Sequence, residues 1–297
     1  MLLPATENVM DGDAIDALLP QDAVARMVDV QLDAVEAVRR AAAPISDAAN
    51  LLARTVQDGK SIIYAAAGSS GLMALADACE LPGTFGIAPE QIQIHMAGGI
   101  PIDGRMPGDT EDDTDAARDA ARAAQPGDAV IVLSASGTTP YAVQMARAVR
   151  DAGARVIGIA NNPDTDLLNA ADIAICLQTP PEVIAGSTRM GAGTAQKVAL
   201  NLMSSLMGVK LGHVYGGMMV NVVADNAKLL DRSARMVARI ANVADADAAR
   251  ALAVTSGHVK PATLVAAGLS HADAKALLRA HDGHLGPCLH AIAPEHQ

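Results

Sequence analysis

The chain has 297 residues, of which 51% are hydrophobic, so it can bury a sizeable core in one or two domains. A formal net charge of −11 repels a nucleic-acid backbone, and one Phe, three Tyr and no Trp offer few platforms for base stacking, so we expect no nucleic-acid partner. Three widely separated cysteines, Cys79, Cys176 and Cys288, indicate a reducing compartment rather than a disulfide framework.

The first part of the chain predicts helices. Apolar residues recur at helical spacing from about Gln21 to Gln57, and Pro44 predicts a break between two helices. The N-terminal residues carry no basic segment followed by an apolar run, so we expect no signal peptide. They also lack the basic patch that a DNA-binding helix pair would need.

The middle of the chain alternates strands and helices. Short apolar or alternating runs predict five strands, at residues 61–67, 91–96, 129–133, 155–160 and 173–177. Helical patterns follow the first and third strands, and a long helix is predicted over 195–211, which is too short and too polar to span a bilayer. This alternation predicts an α/β fold with a parallel sheet covered by helices on both faces.

Strand signals stop after Asp225. The remaining residues have a helical pattern, with helix caps expected at Asp245 and Ser270. We therefore expect an N-terminal helical segment over residues 1–58, an α/β domain over 59–224 and a small C-terminal helical domain over 225–297.

Three loops carry residues that suit a bound oxyanion. Gly68-Ser-Ser-Gly71 and Ser134-Ala-Ser-Gly-Thr-Thr139 each follow a predicted strand, and Ser187-Thr-Arg189 precedes the long predicted helix. In parallel sheets, ligands bind beyond the carboxyl ends of the strands, where small residues expose backbone N–H groups and hydroxyls add donors. Tight turns and helix caps use the same residues for geometry alone. Three such loops in an acidic chain nevertheless favour a phosphate-type ligand.

Two glutamates are candidates for acid–base chemistry. Glu80 is followed by Pro82 and Gly83, which predict an abrupt helix end, and a carboxyl group at the carbonyl-rich end of a helix suits a proton donor. Glu111 lies in the acidic run 109–115, where repulsion between carboxylates suits a base. The alternative for this run is a solvated helix start.

The sequence gives little support to metal or nucleotide chemistry. A cluster of His281, His284, Cys288 and His290 is explained by a solvated C-terminal tail, so we expect no metal site. Walker A, G-x-G-x-x-G and nucleophile-elbow motifs are absent from the sequence.

A family resemblance rests on motifs along nearly the whole chain. Gly186-Ser-Thr-Arg-Met-Gly-Ala-Gly-Thr-Ala-Gln-Lys197 resembles the signature of the N-acetylmuramic acid 6-phosphate etherases. Further segments match that family in order and spacing: Thr6-Glu7, 78–86, Ala97-Gly-Gly99, Glu111-Asp112, 134–141, Leu200-Asn201, Gly212-His-Val-Tyr-Gly216 and Val259-Lys260. The Gly/Ser loops alone would indicate only the wider sugar isomerase (SIS) superfamily.

The resemblance implies an SIS-type sandwich and a cofactor-free carbon–oxygen lyase of cell-wall amino sugar recycling. Such an enzyme removes the D-lactyl ether from N-acetylmuramic acid 6-phosphate by elimination and hydration of the open-chain aldehyde. By position, Glu80 would protonate the departing lactate and Glu111 would remove the proton at C2. A cytoplasmic homodimer with sites near the subunit interface is implied. Residues implied to hold the phosphosugar are Ser69, Ser70, Gly71, Ser134, Ser136, Gly137, Thr139, Ser187, Thr188, Arg189 and Lys197.

The chain departs from the family pattern at several positions. Leu72, Thr138 and Gly191 stand where the family usually has cations, Ile100 replaces a Glu, and Gly83 replaces a Pro. Each charge-assisted hydrogen bond contributes roughly 1.5–3 kcal/mol, so the loss of these cations bears directly on which phosphosugar the protein binds. Two alternatives therefore stay open: an SIS-type aldose–ketose isomerase acting on another phosphosugar, and a non-catalytic phosphosugar sensor.

Overall fold

The computed structural model describes residues 4–222 and 227–293. Its contacts divide the chain into two compact units. One comprises Met1–Cys79 and Pro89–Leu206, and the other comprises Glu80–Ala88 and Met207–Gln297. The three-part division expected from the sequence stays a prediction.

The first unit contains a five-stranded parallel sheet at the predicted positions. Its strands are β1 (Ile62–Ala66), β2 (Ile92–Met96), β3 (Ala129–Ser134), β4 (Arg155–Ala160) and β5 (Ile173–Cys176). They are arranged in the order β2-β1-β3-β4-β5. Strands β1 and β3 are buried along their whole length, as their continuous apolar sequences require. Ala66 and Leu133 are paired in register, so the loops that leave these two strands are neighbours.

Helices cover both faces of this sheet, which confirms the predicted α/β class. The helices of the chain up to Lys210 are α1 (Pro20–Arg40), α2 (Ala42–Gln57), α3 (Gly68–Phe85), α4 (Thr114–Ala121), α5 (Pro140–Asp151), α6 (Asp166–Ala170) and α7 (Gly191–Lys210). On one face, Val130 and Val132 of β3 share a core with Tyr141 and Met145 of α5. Helix α2 contacts β1, β3 and β5, and its buried side chains lie outside that core.

Several predicted helix boundaries are wrong. The predicted loop Gly68-Ser-Ser-Gly71 is the first turn of α3, and α7 begins at Gly191 rather than at Ala195. The break between α1 and α2 falls at Ala41, so Pro44 lies in the first turn of α2, where proline is tolerated. Helix α3 does not stop at Pro82 but continues to Phe85. Leu81 and Phe85, one turn apart, are both buried, and this burial offsets the helix bond that proline removes. Glu80 therefore lies more than one turn before the helix end.

The second unit is mainly helical, as predicted, with a short hairpin that the sequence did not indicate. The hairpin pairs β6 (Val214–Tyr215) with β7 (Met218–Met219). The helices are α8 (Ala227–Ala241), α9 (Asp245–Val254), α10 (Val259–Ala266), α11 (His271–Ala280) and α12 (Leu285–Ile292). Ser270 caps α11 as predicted, whereas Asp245 is the first residue of α9 and Ala244 is its cap. None of the described helices combines the length and apolarity that crossing a membrane requires.

Candidate functional site

A polar cavity of about 260 Å³ lies at the carboxyl ends of the central strands. Ala67 directly follows β1, and Ser134 is the last residue of β3, so the cavity occupies the place where parallel sheets bind ligands. All of its lining residues belong to the first unit: Glu7, Ala67, Ser69, Ser70, Glu111, Ser134, Ala135, Ser136, Thr139, Gly186 and Thr188.

Three hydroxyls after β3 form one side of this cavity, and we call Ser134, Ser136 and Thr139 the hydroxyl cradle. Ser134 Oγ lies 2.9 Å from Thr139 Oγ1 and 3.2 Å from Ser136 Oγ. The amide of Gly137 donates to Ser134 Oγ at 3.0 Å. Gly137 has a φ of +74°, and a methyl group there would clash with the side chain of Thr165. The loop therefore holds its hydroxyls together only with glycine at this position.

The hydroxyl cradle leads directly into α5. Thr139 occupies the N-cap position, and its side chain makes no capping hydrogen bond. The hydroxyl of Thr139, which also lines the cavity, therefore lies beside the N-terminus of α5, an end of a helix that favours an anion.

Glu111 lies next to Gly68, the first residue of α3. A methyl group at Gly68 would lie 2.5 Å from Glu111 Oε1, so the missing side chain of Gly68 makes room for this carboxylate. Glu111 belongs to the short 3-10 turn Thr110–Asp112. The next residue, Asp113, caps α4 by accepting from the amide of Ala116 at 2.8 Å. The acidic run thus supplies both a helix cap and a carboxylate facing the cavity.

Sequence reasoning missed a second carboxylate in the cavity, that of Glu7. It ends the N-terminal 3-10 turn Ala5–Glu7, and a methyl group at Gly186 would lie 3.1 Å from Glu7 Oε2. The preceding residue, Thr6, is fully buried. The only sequence signal for Glu7 was its place in a family motif, because composition and periodicity say nothing about a lone glutamate near a terminus.

The loop before α7 differs from its sequence interpretation. We expected an anion site at this helix start, but the buried carboxylate of Glu182 already accepts from the amides of Gly191 (2.9 Å) and Ala192 (2.8 Å). Thr188 lines the cavity, whereas Ser187 and Arg189 are not among its lining residues. Their binding roles stay predictions, as does that of Lys197, which is exposed two turns into α7.

Gly71 and Glu80 also lie outside the cavity lining. Gly71 is buried, and a methyl group there would approach the side chain of Met96 at 2.9 Å, so this glycine permits close packing. Glu80 is exposed on α3 and belongs to the second unit. Its catalytic role stays a prediction.

The lining of the cavity contains two carboxylates and, among the described residues, neither Lys nor Arg. Two of the positions that lack the family's usual cations, Leu72 and Thr138, are exposed, and the third, Gly191, is buried where its amide meets Glu182. A phosphate in this cavity would therefore depend on hydroxyls and backbone amides. No group of three or more His, Cys, Asp or Glu residues suited to a metal occurs in the described part of the chain.

The parallel sheet and the hydroxyl-lined cavity define an SIS-domain protein, and residues 28–161 match the SIS domain family. A phosphosugar isomerase fold from Bacteroides fragilis, described as putative and involved in capsule formation, superposes with a TM-score of 0.50 at 17% identity, covering 66% of this chain and 94% of that one.

Similarity to curated proteins is much higher. The N-acetylmuramic acid 6-phosphate etherase of Deinococcus radiodurans is 43% identical over 284 residues, covering 94% of this chain and 93% of that protein. The etherase of Salmonella agona is 36% identical over 291 residues, covering 97% and 98%. This chain belongs to the N-acetylmuramic acid 6-phosphate etherase family, as the sequence motifs predicted.

Proposed function

We propose that this protein cleaves the D-lactyl ether of N-acetylmuramic acid 6-phosphate, leaving N-acetylglucosamine 6-phosphate and D-lactate without a cofactor. The observation that carries the proposal is the cavity, in which the hydroxyl cradle and the carboxylate of Glu111 face the same small volume. The 43% identity to a named etherase over nearly the whole chain supports the same reaction.

The cavity suits a sugar phosphate held at its phosphate end. The hydroxyl cradle, at the N-terminus of α5, would bind the phosphate oxygens, while Ser69, Ser70 and Thr188 would contact the sugar. Because none of the described lining residues is a Lys or Arg, each hydroxyl would carry a larger share of the binding than it would beside an arginine.

Glu111 would act as the base of the elimination. In the open-chain sugar, the aldehyde at C1 acidifies the proton on C2, so one positioned carboxylate can remove it. The electron pair left on C2 then expels lactate from C3, and water adds to the resulting double bond. Glu80 would protonate the departing lactate oxygen.

A homodimer would bring Glu80 to this chemistry, since Glu80 is not part of the cavity lining. On α3 the exposed residues Leu72, Ala76, Cys79 and Glu80 recur at helical spacing, so Glu80 lies on a solvent face that includes an exposed leucine. Helix α1 also exposes an apolar stripe, formed by Val24, Val28, Leu32 and Val35. Apolar helix faces of this kind are typical of subunit contacts, and a two-fold pairing would share residues between two sites.

We place the reaction in the cytoplasm, where the thiols of Cys79, Cys176 and Cys288 would stay reduced.

The test is the release of D-lactate from N-acetylmuramic acid 6-phosphate by the purified protein. Glu111→Gln should abolish lactate release and proton exchange at C2, whereas Glu80→Gln should slow lactate release more than exchange. Glu90→Gln, at an exposed glutamate outside the cavity, is the matched control and should behave as wild type. Folded wild-type protein that releases no lactate would contradict the proposal.

One observation favours a second candidate, an aldose–ketose isomerase acting on another hexose phosphate. A substrate with a lactyl carboxylate adds a negative charge to a cavity whose described lining has two carboxylates and neither Lys nor Arg, whereas an isomerase substrate does not. Formation of a ketose phosphate, with C2 exchange and without lactate, would favour this reaction.

A further inference from the structure

Glu7 is a titratable group in the cavity to which the proposed reaction gives no role. The reaction needs a base at C2 and an acid at the lactate oxygen, and Glu111 and Glu80 fill these places. Glu7 is the remaining carboxylate among the lining residues that the structure describes.

Two hydrogen bonds to Thr6 hold the turn of Glu7 at the cavity, and a third ties their shared partner Asn162 to the cradle loop. The amide of Gly186 donates to the carbonyl oxygen of Thr6 at 3.1 Å. Asn162 Nδ2 donates both to Thr6 Oγ1 at 3.2 Å and to the carbonyl oxygen of Ala135 at 3.0 Å. Thr6 and Asn162 are both buried. The turn that carries Glu7 is therefore fixed to the loop that carries the hydroxyl cradle, and its position is built into the site.

Glu7 and Glu111 are held by different elements of the sheet edge. Glu111 Oε1 lies next to Gly68, two residues after β1, while the turn of Glu7 is bound by Asn162, two residues after β4. The cradle follows β3, the strand between β1 and β4 in the sheet. Because separate elements anchor the two carboxylates, they can serve different atoms of a bound sugar.

The proposed elimination also requires a third proton transfer. Hexose 6-phosphates exist mainly as closed rings, and C2 becomes acidic only after the bond between C1 and the ring oxygen opens. The ring oxygen is attached to C5, next to the carbon that bears the phosphate. An acid for this atom must therefore lie beside the phosphate-binding loop, where Glu7 is held.

We propose that Glu7 is the catalytic acid that opens the sugar ring, an inference that rests on the phosphosugar chemistry proposed above. Glu7 in its protonated form gives its proton to the ring oxygen as the bond between C1 and that oxygen breaks. The proton of the 1-hydroxyl passes to a water molecule, and the electron pair of the broken O–H bond completes the aldehyde carbonyl. The hydronium ion so formed returns a proton to Glu7, so the step needs no further reactant.

Ring opening can be measured without the lyase reaction, because repeated opening and closing interconverts the α and β anomers. The experiment uses N-acetylglucosamine 6-phosphate and the Glu111→Gln variant, in which the C2 chemistry is silenced, and follows anomer exchange by NMR exchange spectroscopy. We expect Glu111→Gln to accelerate exchange in proportion to its concentration. In the double variant that also carries Glu7→Gln, the protein-catalysed exchange rate should be about 100-fold lower, a typical contribution of a general acid.

Matched variants separate this role from a structural one. Glu90→Gln in the Glu111→Gln background should keep the full acceleration, and Glu7→Asp should restore part of it because the acid is retained on a shorter side chain. Thermal unfolding at an unchanged temperature shows that the Glu7 variants are folded. Exchange that is unaffected by Glu7→Gln, or no acceleration by folded Glu111→Gln, would overturn the inference. Absence of lactate from the wild-type reaction would contradict the etherase assignment instead.

Discussion

Asn162 Nδ2 donates a hydrogen bond to Thr6 Oγ1 at 3.2 Å, although 156 residues of sequence separate the two. The same nitrogen donates to the carbonyl oxygen of Ala135, in the loop of the hydroxyl cradle. One buried amide thus connects the N-terminal turn to the ligand-binding loop. The arrangement explains how a residue near the chain terminus reaches a cavity built on the sheet.

Thr6→Val should loosen this connection. Valine keeps the shape of threonine but leaves a buried N–H of Asn162 without its acceptor, which costs about 1–3 kcal/mol. We expect the free energy of unfolding in urea to fall by this amount and anomer exchange to fall with it. Thr6→Ser retains the hydroxyl and is the matched control. Equal anomer exchange by the Val and Ser variants would show that the connection does not position Glu7.

Gly137→Ala should disturb the hydroxyl cradle. The substitution places a methyl group against Thr165 at a residue whose φ of +74° already disfavours alanine. Gly104 has a similar φ of +76° with no atom within 4 Å of the added methyl, so Gly104→Ala carries the backbone cost without the clash. We expect Gly137→Ala to destabilise the protein by about 1–3 kcal/mol more than Gly104→Ala and to weaken phosphosugar binding, measured by urea unfolding and calorimetry. Similar losses from both would show that the packing around Gly137 is adaptable.

Asp77 should contribute more to stability than any single partner. Its buried carboxylate accepts from Tyr64 Oη at 2.8 Å, Asn201 Nδ2 at 2.8 Å and Ser204 Oγ at 2.9 Å. Burial raises the pKa of Tyr64 well above its usual value, and the charge of Asp77 raises it further, so the phenol remains a donor.

Asp77→Asn replaces one acceptor oxygen with an NH₂ group, which then faces one of the three donors. We expect the free energy of unfolding in urea to fall by about 2–4 kcal/mol. Tyr64→Phe removes one donor and should cost less. A smaller loss for Asp77→Asn than for Tyr64→Phe would contradict this account of the network.

Acidification should destabilise the second unit through His213. Burial, with the positive charge of Lys260 as a further cause, lowers the pKa of His213 to about 4, whereas an unfolded histidine titrates near 6.5. Between these values the unfolded chain binds more protons than the folded protein, so the free energy of unfolding falls as the pH falls from 6.5 to 4. Because the side chain is only partly buried, the slope should stay below about 1.4 kcal/mol per pH unit.

His213→Gln should make the free energy of unfolding less dependent on pH. The measurement is the difference between the wild-type and variant free energies of unfolding at each pH. The difference should be constant above pH 7 and should change below it. A difference that is independent of pH down to 4.5 would mean that His213 titrates normally in the folded protein.

The strands were predictable because local patterns determine them. Residues 129–133 form a continuous apolar run, which is typical of a strand buried on both faces, and apolar residues alternate with polar ones over 91–96. The continuation of α3 through Pro82 was not predictable, because it depends on burial of Phe85 by residues distant in sequence. The hairpin at 214–219 was missed because each of its strands has only two residues.

For the site, sequence patterns pointed to the Gly/Ser loops and the family resemblance pointed to Glu111, and both line one cavity, but the partners that complete the cavity were missed. Gly/Ser loops after strands are local signals. Glu7 is held at the cavity through the hydrogen bond between its neighbour Thr6 and Asn162, and Glu182 binds the first amides of α7 from nine residues upstream. Neither contact leaves a periodic or compositional trace, so both required the folded structure.

The most direct test of the central claim is the fate of the hydrogen on C2 when the protein acts on N-acetylmuramic acid 6-phosphate in D₂O. If Glu111 removes that proton and lactate leaves from C3, each turnover releases one D-lactate and one N-acetylglucosamine 6-phosphate with deuterium at C2, and Glu111→Gln yields neither product. Lactate release without deuterium at C2 would contradict this claim, and so would lactate release by Glu111→Gln at the wild-type rate.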